Sequence, residues 1–260
     1  MVQNNPFNLI TRSPWPIFSG SMGFVMALGL VYWMHMGGAM IMTYGGLMLT
    51  VIIFLWWRDL TVESSYQGYH SSMVVGNLRF GFLLFIVSEV MFFFSFFWGF
   101  FHSSLSPTVD VGCQWPPAGV VVLNYLGTPL LNSVILLSSG VFVTASHIYL
   151  RLGMVEKASL MLAITVFLGI LFTGFQVKEY FEVSYSIADS VYGSAFFTMT
   201  GFHGVHVFVG TSFLISQFIR MMMGQFCSFH HLGFDASIWY WHFVDVVWLF
   251  LYTVIYVWGS

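Results

Sequence analysis

Residues 80–101 read Phe80-Gly-Phe-Leu-Leu-Phe-Ile-Val-Ser-Glu-Val-Met-Phe-Phe-Phe-Ser-Phe-Phe-Trp-Gly-Phe-Phe101, with one ionisable side chain, Glu89, in the middle. Twenty-two such residues are enough to cross a hydrocarbon core of about 30 Å as an α-helix. At about 1.5 Å rise per residue, Glu89 lies roughly 18 Å beyond Asn77, near the bilayer midplane. A carboxylate there costs about 3 kcal/mol on insertion scales. Its helical neighbours Phe85, Ile86, Phe92 and Phe93 offer no basic partner. Desolvation disfavours the charged form, so Glu89 is expected to be protonated unless another helix brings a partner. A buried acid of this kind is a functional candidate. The plainer alternative is a neutral carboxylic acid that hydrogen-bonds one helix to the next.

The rest of the chain repeats the pattern. Of 260 residues, 58% are hydrophobic, 20% aromatic and only 7% charged, against about 25% charged in an average soluble chain. The class is a polytopic membrane protein. A net charge of −3 argues against a nucleic-acid-binding function. Two cysteines, Cys113 and Cys227, have no metal-type spacing. No cleavable signal or Arg/Ser-rich transit peptide opens the sequence, so insertion through the chain's own helices is expected.

Seven apolar spans are predicted: Ile17 to Met36, Ala39 to Trp57, Phe80 to Phe101, Leu130 to Leu150, Ala158 to Val177, Tyr192 to Ile219 and Ile238 to Trp258. The link Gly37-Gly38 is so short that spans one and two must form an antiparallel hairpin. Three segments follow: an arm and hairpin at 1–57, a polar connection at 58–79, and five spans at 80–260. Within the connection, Asp59, Glu63 and His70 share a face at helical spacing. That face is read either as solvated or as a headgroup or proton-entry surface. Lys178 to Ser190 is predicted to be an acidic loop, and Arg220 to Asp235 a polar loop holding His230-His231.

Alternating loops place Arg12, Arg58, Arg79, Arg151, Lys157 and Arg220 on one side and only Lys178 on the other. The asymmetry puts the N-terminus on the cytosolic or matrix side. Cys113 and Cys227 then face opposite compartments and cannot pair.

The remaining polar residues within the spans come in pairs. His203 and His206, three apart, share a helical face; they lack the further ligands that a metal site needs, and no metal is expected. His242 and Asp245 repeat the spacing, which would let a carboxylate orient an imidazole. Interhelical hydrogen bonding is the expected role of all four. The Met-rich patches are read as packing. Phosphate loops, nucleophile elbows and haem-attachment cysteine pairs are missing from the sequence.

Several of these stretches resemble one known family. The run Ser88 to Pro107, beginning Ser-Glu-Val-Met-Phe-Phe-Phe, looks like the third helix of the cytochrome c oxidase subunit III family. Thr200-Gly-Phe-His-Gly-Val-His206 and Trp239-Tyr-Trp-His-Phe-Val-Asp-Val-Val-Trp-Leu-Phe-Leu-Tyr252 are similar to it as well. Ser13-Pro-Trp-Pro16, Trp56-Trp-Arg-Asp59, Trp115-Pro-Pro117 and Ala188-Asp-Ser-Val-Tyr-Gly-Ser194 fit the same pattern. Val62 and the segment Ala145 to Leu150 depart from it: many members carry a basic residue at the first and a Trp-Ala-His-His type at the second.

The resemblance implies an all-α integral membrane subunit whose two-helix hairpin and five-helix bundle form a V around a lipid-filled cleft. It implies a place in the proton-pumping oxidase of the mitochondrial inner membrane, with the N-terminus in the matrix and the C-terminus in the intermembrane space. Subunits I and II and other subunits of the complex would be partners. Haem a and copper would lie in those partners, with no cofactor but bound phospholipid in this chain. By resemblance, Glu89 is the buried carboxylate facing the cleft, and His70 an imidazole near its matrix end. Trp56, Trp57, Glu63, His70, Arg220 and His230 match positions around lipid headgroups. Two alternatives stand beside this reading: a stand-alone proton-coupled carrier using Glu89, His203, His206 and Asp245, and subunit III of a quinol oxidase.

Overall fold

A polypeptide in lipid must satisfy its backbone hydrogen bonds internally, which favours continuous helices. The computed structural model describes residues 12–259, so most of the expected polar arm, residues 1–11, lies outside the described residues. Among the described residues there are seven α-helices: α1 (Trp15–Met36), α2 (Met40–Ser65), α3 (Ser72–Leu105), α4 (Thr128–Arg151), α5 (Val155–Glu182), α6 (Ser190–Met222) and α7 (Leu232–Leu251). A π-helical turn, Tyr252–Trp258, extends α7. All seven are long and apolar enough to cross a membrane.

The helices overrun the expected spans where polar residues stand at their ends. α2 continues to Ser65 instead of stopping at Trp57, and Gly68 then takes a left-handed φ of 66°. His70 therefore lies in the link 66–71, off the helix that carries Asp59 and Glu63, and the expected shared face does not extend to it. α5 runs through Glu182, so most of the expected acidic loop is helical. α7 begins at Leu232 and takes Asp235 into its first turn.

The chain divides into two compact units, Met1–Leu78 and Arg79–Ser260. In the first unit, α1 and α2 form the expected hairpin. Their axes approach closely because Gly29 lies against the backbone of Met42 and Gly45 within 2.8 Å of Met26 N, measured from where a Cβ would stand. Such small residues let membrane helices meet backbone to backbone. The open end of the hairpin is pinned by Trp15 Nε1, which donates to Asp59 Oδ2 at 2.7 Å.

In the second unit, α4 packs on α5, α5 on α6, and α6 and α4 on α7. α7 is the most enclosed span. Two of its indoles reach α4: Trp241 Nε1 donates to Ser139 Oγ at 2.8 Å, and Trp248 Nε1 to Ser133 Oγ at 3.0 Å. The rings of Trp241 and Trp248 are fully buried. The indole bodies fill the apolar core while each N–H finds an acceptor, as a buried tryptophan requires.

Candidate functional site

Glu89 is the eighteenth of 34 residues in α3, and His206 the seventeenth of 33 in α6. Both stand at the middle of their helices, at the same membrane depth. The partner missing from α3 thus comes from α6: His206 Nε2 lies 2.9 Å from Glu89 Oε2. The opposite ring nitrogen, Nδ1, is 2.6 Å from the Phe202 carbonyl one turn back and donates its N–H to it. That bond fixes the tautomer and leaves Nε2 facing the carboxyl group. Either group can hold the proton of this hydrogen bond, as acid and imidazole or as carboxylate and imidazolium. Phe93 meets the imidazole edge-on at 4.9 Å, with Phe92, Tyr240 and Phe243 at 6.1–6.3 Å. This aromatic wall keeps the proton away from bulk water on those sides.

His203, one turn earlier, is buried and does not join the pair. Its Nε2–H donates to the Val244 carbonyl at 3.2 Å, tying α6 to α7, between the rings of Phe172 and Trp248. His242 Nε2 donates to Thr144 Oγ1 at 3.3 Å, a contact from α7 to α4. Asp245 does not orient that imidazole: the gap of 3.9 Å from His242 Nδ1 exceeds hydrogen-bond distance. Asp245 instead nests against Gly140 of α4, where a Cβ would come within 2.7 Å of Oδ2. Its Oδ1 is buried with no hydrogen-bond partner among the described residues.

The residues expected near headgroups fall at helix ends. Trp56 is half-buried and Trp57 exposed near the end of α2, Glu63 is buried within its last turn, and His70 is half-buried in the following link. At the end of α6, Arg220 reaches Gln225 Oε1 at 3.1 Å and Gln217 Oε1 at 3.2 Å, and its guanidinium lies 4.7 Å over the Phe226 ring. His230 is half-buried in the loop that follows.

Two polar clusters were not anticipated. Glu179, expected in a loop, is fully buried near the end of α5. Tyr256 OH donates to its Oε1 at 2.5 Å, and Gln176 Nε2 reaches the same oxygen at 3.3 Å. The Gln176–Glu179 spacing of three was the available signal. The second cluster joins α3, α4 and α7 at one membrane end. Arg79 donates to Asp235 Oδ2 at 2.8 Å, while His147 and His231 both approach Oδ1. The hydrogen bond to Asp235 raises the His231 imidazole from its ordinary value, against the desolvation that lowers it. Arg79 was counted only among the loop cations, and nothing in a linear chain brings it or His147 to Asp235.

The family described as "Cytochrome c oxidase subunit III" matches residues 5–260. Among its relatives, "Cytochrome c oxidase subunit 3" of Branchiostoma lanceolatum is 53% identical over 258 residues, covering 99% of this chain and 98% of the relative. The protein of the same name from Paracentrotus lividus is 50% identical over 260 residues, all of both chains. That from Triticum aestivum is 52% identical over 261 residues, 99% of this chain and 98% of its own.

Proposed function

Since the chain belongs to the cytochrome c oxidase subunit III family and is a multi-pass membrane subunit of that complex, we propose that its own part in oxygen reduction is supporting rather than catalytic. Haem a and copper are held by partner subunits, with this chain packed beside subunit I and in contact with subunit II and further subunits. It resides in the mitochondrial inner membrane, N-terminus in the matrix and C-terminus in the intermembrane space. There it binds phospholipid and sustains proton uptake.

The observation that carries this reading is the 2.9 Å contact between Glu89 Oε2 and His206 Nε2 at the middle of both helices. A protonatable pair at that depth buffers or relays a proton without any metal. The lipid role rests on Trp56, Trp57, Glu63 and His70 at one end of the first unit, and on Arg220 and His230 at an end of the second. A cation such as Arg220 near an anionic headgroup contributes about 1 kcal/mol. The carrier alternative needs Glu89, His203, His206 and Asp245 on one path. His203 is committed to Val244, and among the described residues no hydrogen bond joins Asp245 to the Glu89–His206 pair. That separation favours the supporting role.

The test is Glu89→Gln in the intact complex. The haem a absorbance and copper content stay at wild-type levels while steady-state oxygen consumption falls. A changed haem spectrum would contradict the assignment of redox chemistry to the partners. Unchanged oxygen consumption would remove Glu89 from the proton path.

A further inference from the structure

At the end of the second unit where α4 finishes and α7 begins, three donor atoms converge. His147 Nε2 is 3.1 Å from Asp235 Oδ1, His231 Nε2 is 3.3 Å from the same oxygen, and the two imidazole nitrogens are 3.3 Å apart. The triangle is nearly equilateral. A tetrahedral zinc ion with ligands at about 2.0–2.1 Å has ligand–ligand edges of about 3.3 Å. The three atoms already stand at the separations of one face of such a tetrahedron.

The hydrogen bonds behind the triangle point the same way. His231 Nδ1 is 3.0 Å from the Cys227 carbonyl and donates its N–H to it. In the neutral ring this leaves the Nε2 lone pair directed at the cluster. Metal-bound histidines are held in this manner, with the far nitrogen donating to a carbonyl or carboxylate. On the other side, Arg79 Nη2 donates to Asp235 Oδ2 at 2.8 Å, orienting the carboxylate and leaving Oδ1 for the centre. An imidazole proton joins two of these three atoms at a time; a divalent ion between them serves all three.

The donor set selects the ion. Two imidazole nitrogens and one carboxylate oxygen suit zinc and its borderline neighbours, and suit neither the oxygen-only sites of calcium and magnesium nor thiolate sites. His147 keeps 29% of its side chain exposed, which leaves an approach from solvent. Arg79 is the opposing charge: it offsets Asp235 and makes the site weaker than the same triad without it.

We infer that His147, His231 and Asp235 form a binding site for a zinc-like divalent cation, with a fourth position open to water, at the membrane end shared by α4 and α7. This assignment does not depend on the Glu89–His206 pair.

The test uses the intact oxidase in mild detergent, stripped with chelator and titrated with radioactive zinc by equilibrium dialysis. Wild type is compared with His147→Gln, His231→Gln and, as a control on the exposed end of α3, His102→Gln. The wild-type complex takes up one more zinc than either triad variant, or binds that zinc at least about tenfold more tightly. His102→Gln matches wild type. Equal zinc uptake and affinity in wild type and both triad variants would overturn the site. Should a triad variant fail to assemble, carbethoxylation of the wild-type complex decides. Zinc then lowers modification of His147 relative to His102; equal modification with and without zinc would overturn the site.

Discussion

Glu89 Oε2 and His206 Nε2 stand 2.9 Å apart, and this contact determines how each responds to replacement. Glutamine at 89 retains an N–H able to donate to His206 Nε2, so Glu89→Gln costs the fold less than about 1 kcal/mol. Leucine at 206 leaves the carboxyl group facing an apolar wall with its partner gone. His206→Leu therefore destabilises by about 1–3 kcal/mol. Denaturant unfolding of the assembled complex measures both, and an equal loss for the two would refute the importance of this contact. Asp189 is a simpler case outside the spans. It accepts the Ser186 backbone N–H at 2.7 Å, and that bond, followed by the Ser186 hydroxyl, holds its carboxyl below the ordinary 3.8. A depressed carboxylate contributes fully above its unfolded value and loses that contribution as pH falls through the folded one. Protection of the Ser186 amide from hydrogen exchange, corrected for intrinsic rate, is therefore flat above about pH 4 and declines below it. Decline beginning near neutrality would contradict this.

At the scale of elements, the spans were legible because the bilayer dictates them: about 20 apolar residues per crossing leave a plain trace. Their ends were not legible. α5 runs on through Lys178, Glu179 and Glu182, because Tyr256 and Gln176 bury Glu179 as part of the bundle. A linear reading sees an acidic stretch and assigns a loop. Glu89 was visible as a charge in an apolar run, but its partner stands 117 residues away and no spacing rule reaches that far. The His242–Asp245 pair shows the converse, since i,i+3 spacing placed the two near each other yet Asp245 faces Gly140. The contact between α4 and α7 depends on serines that accept from buried indoles. Ser139→Ala leaves Trp241 Nε1 without its acceptor in a dry core and costs about 1–3 kcal/mol. Alanine at the half-buried Ser103, whose hydroxyl donates to the Gly99 carbonyl of its own helix, changes stability by no more than about 0.5 kcal/mol. Thermal unfolding of the two variants separates them, and equal midpoints would show that the indole contact contributes nothing.

For the whole molecule, seven candidate spans and the six-against-one distribution of Lys and Arg underlie the orientation proposed above. Cys113 follows α3 and Cys227 follows α6; both are free and exposed. Three candidate spans lie between them, so the proposed topology opens them onto opposite compartments. A membrane-impermeant maleimide applied to intact inner-membrane vesicles of known sidedness labels Cys227 only from the matrix side and Cys113 only from the other. Labelling of both from one side would contradict the topology. The apolar exteriors of α1, α2 and α3 are mostly unburied within the chain, as expected of surfaces that meet lipid or other subunits of an oxidase.

The most direct test of the central claim is the absorbance spectrum and subunit composition of whatever is captured through this chain in mild detergent. An oxidase subunit brings down haem a bands together with two larger partner subunits. A colourless, monodisperse single chain would contradict it and make the carrier reading the one to pursue.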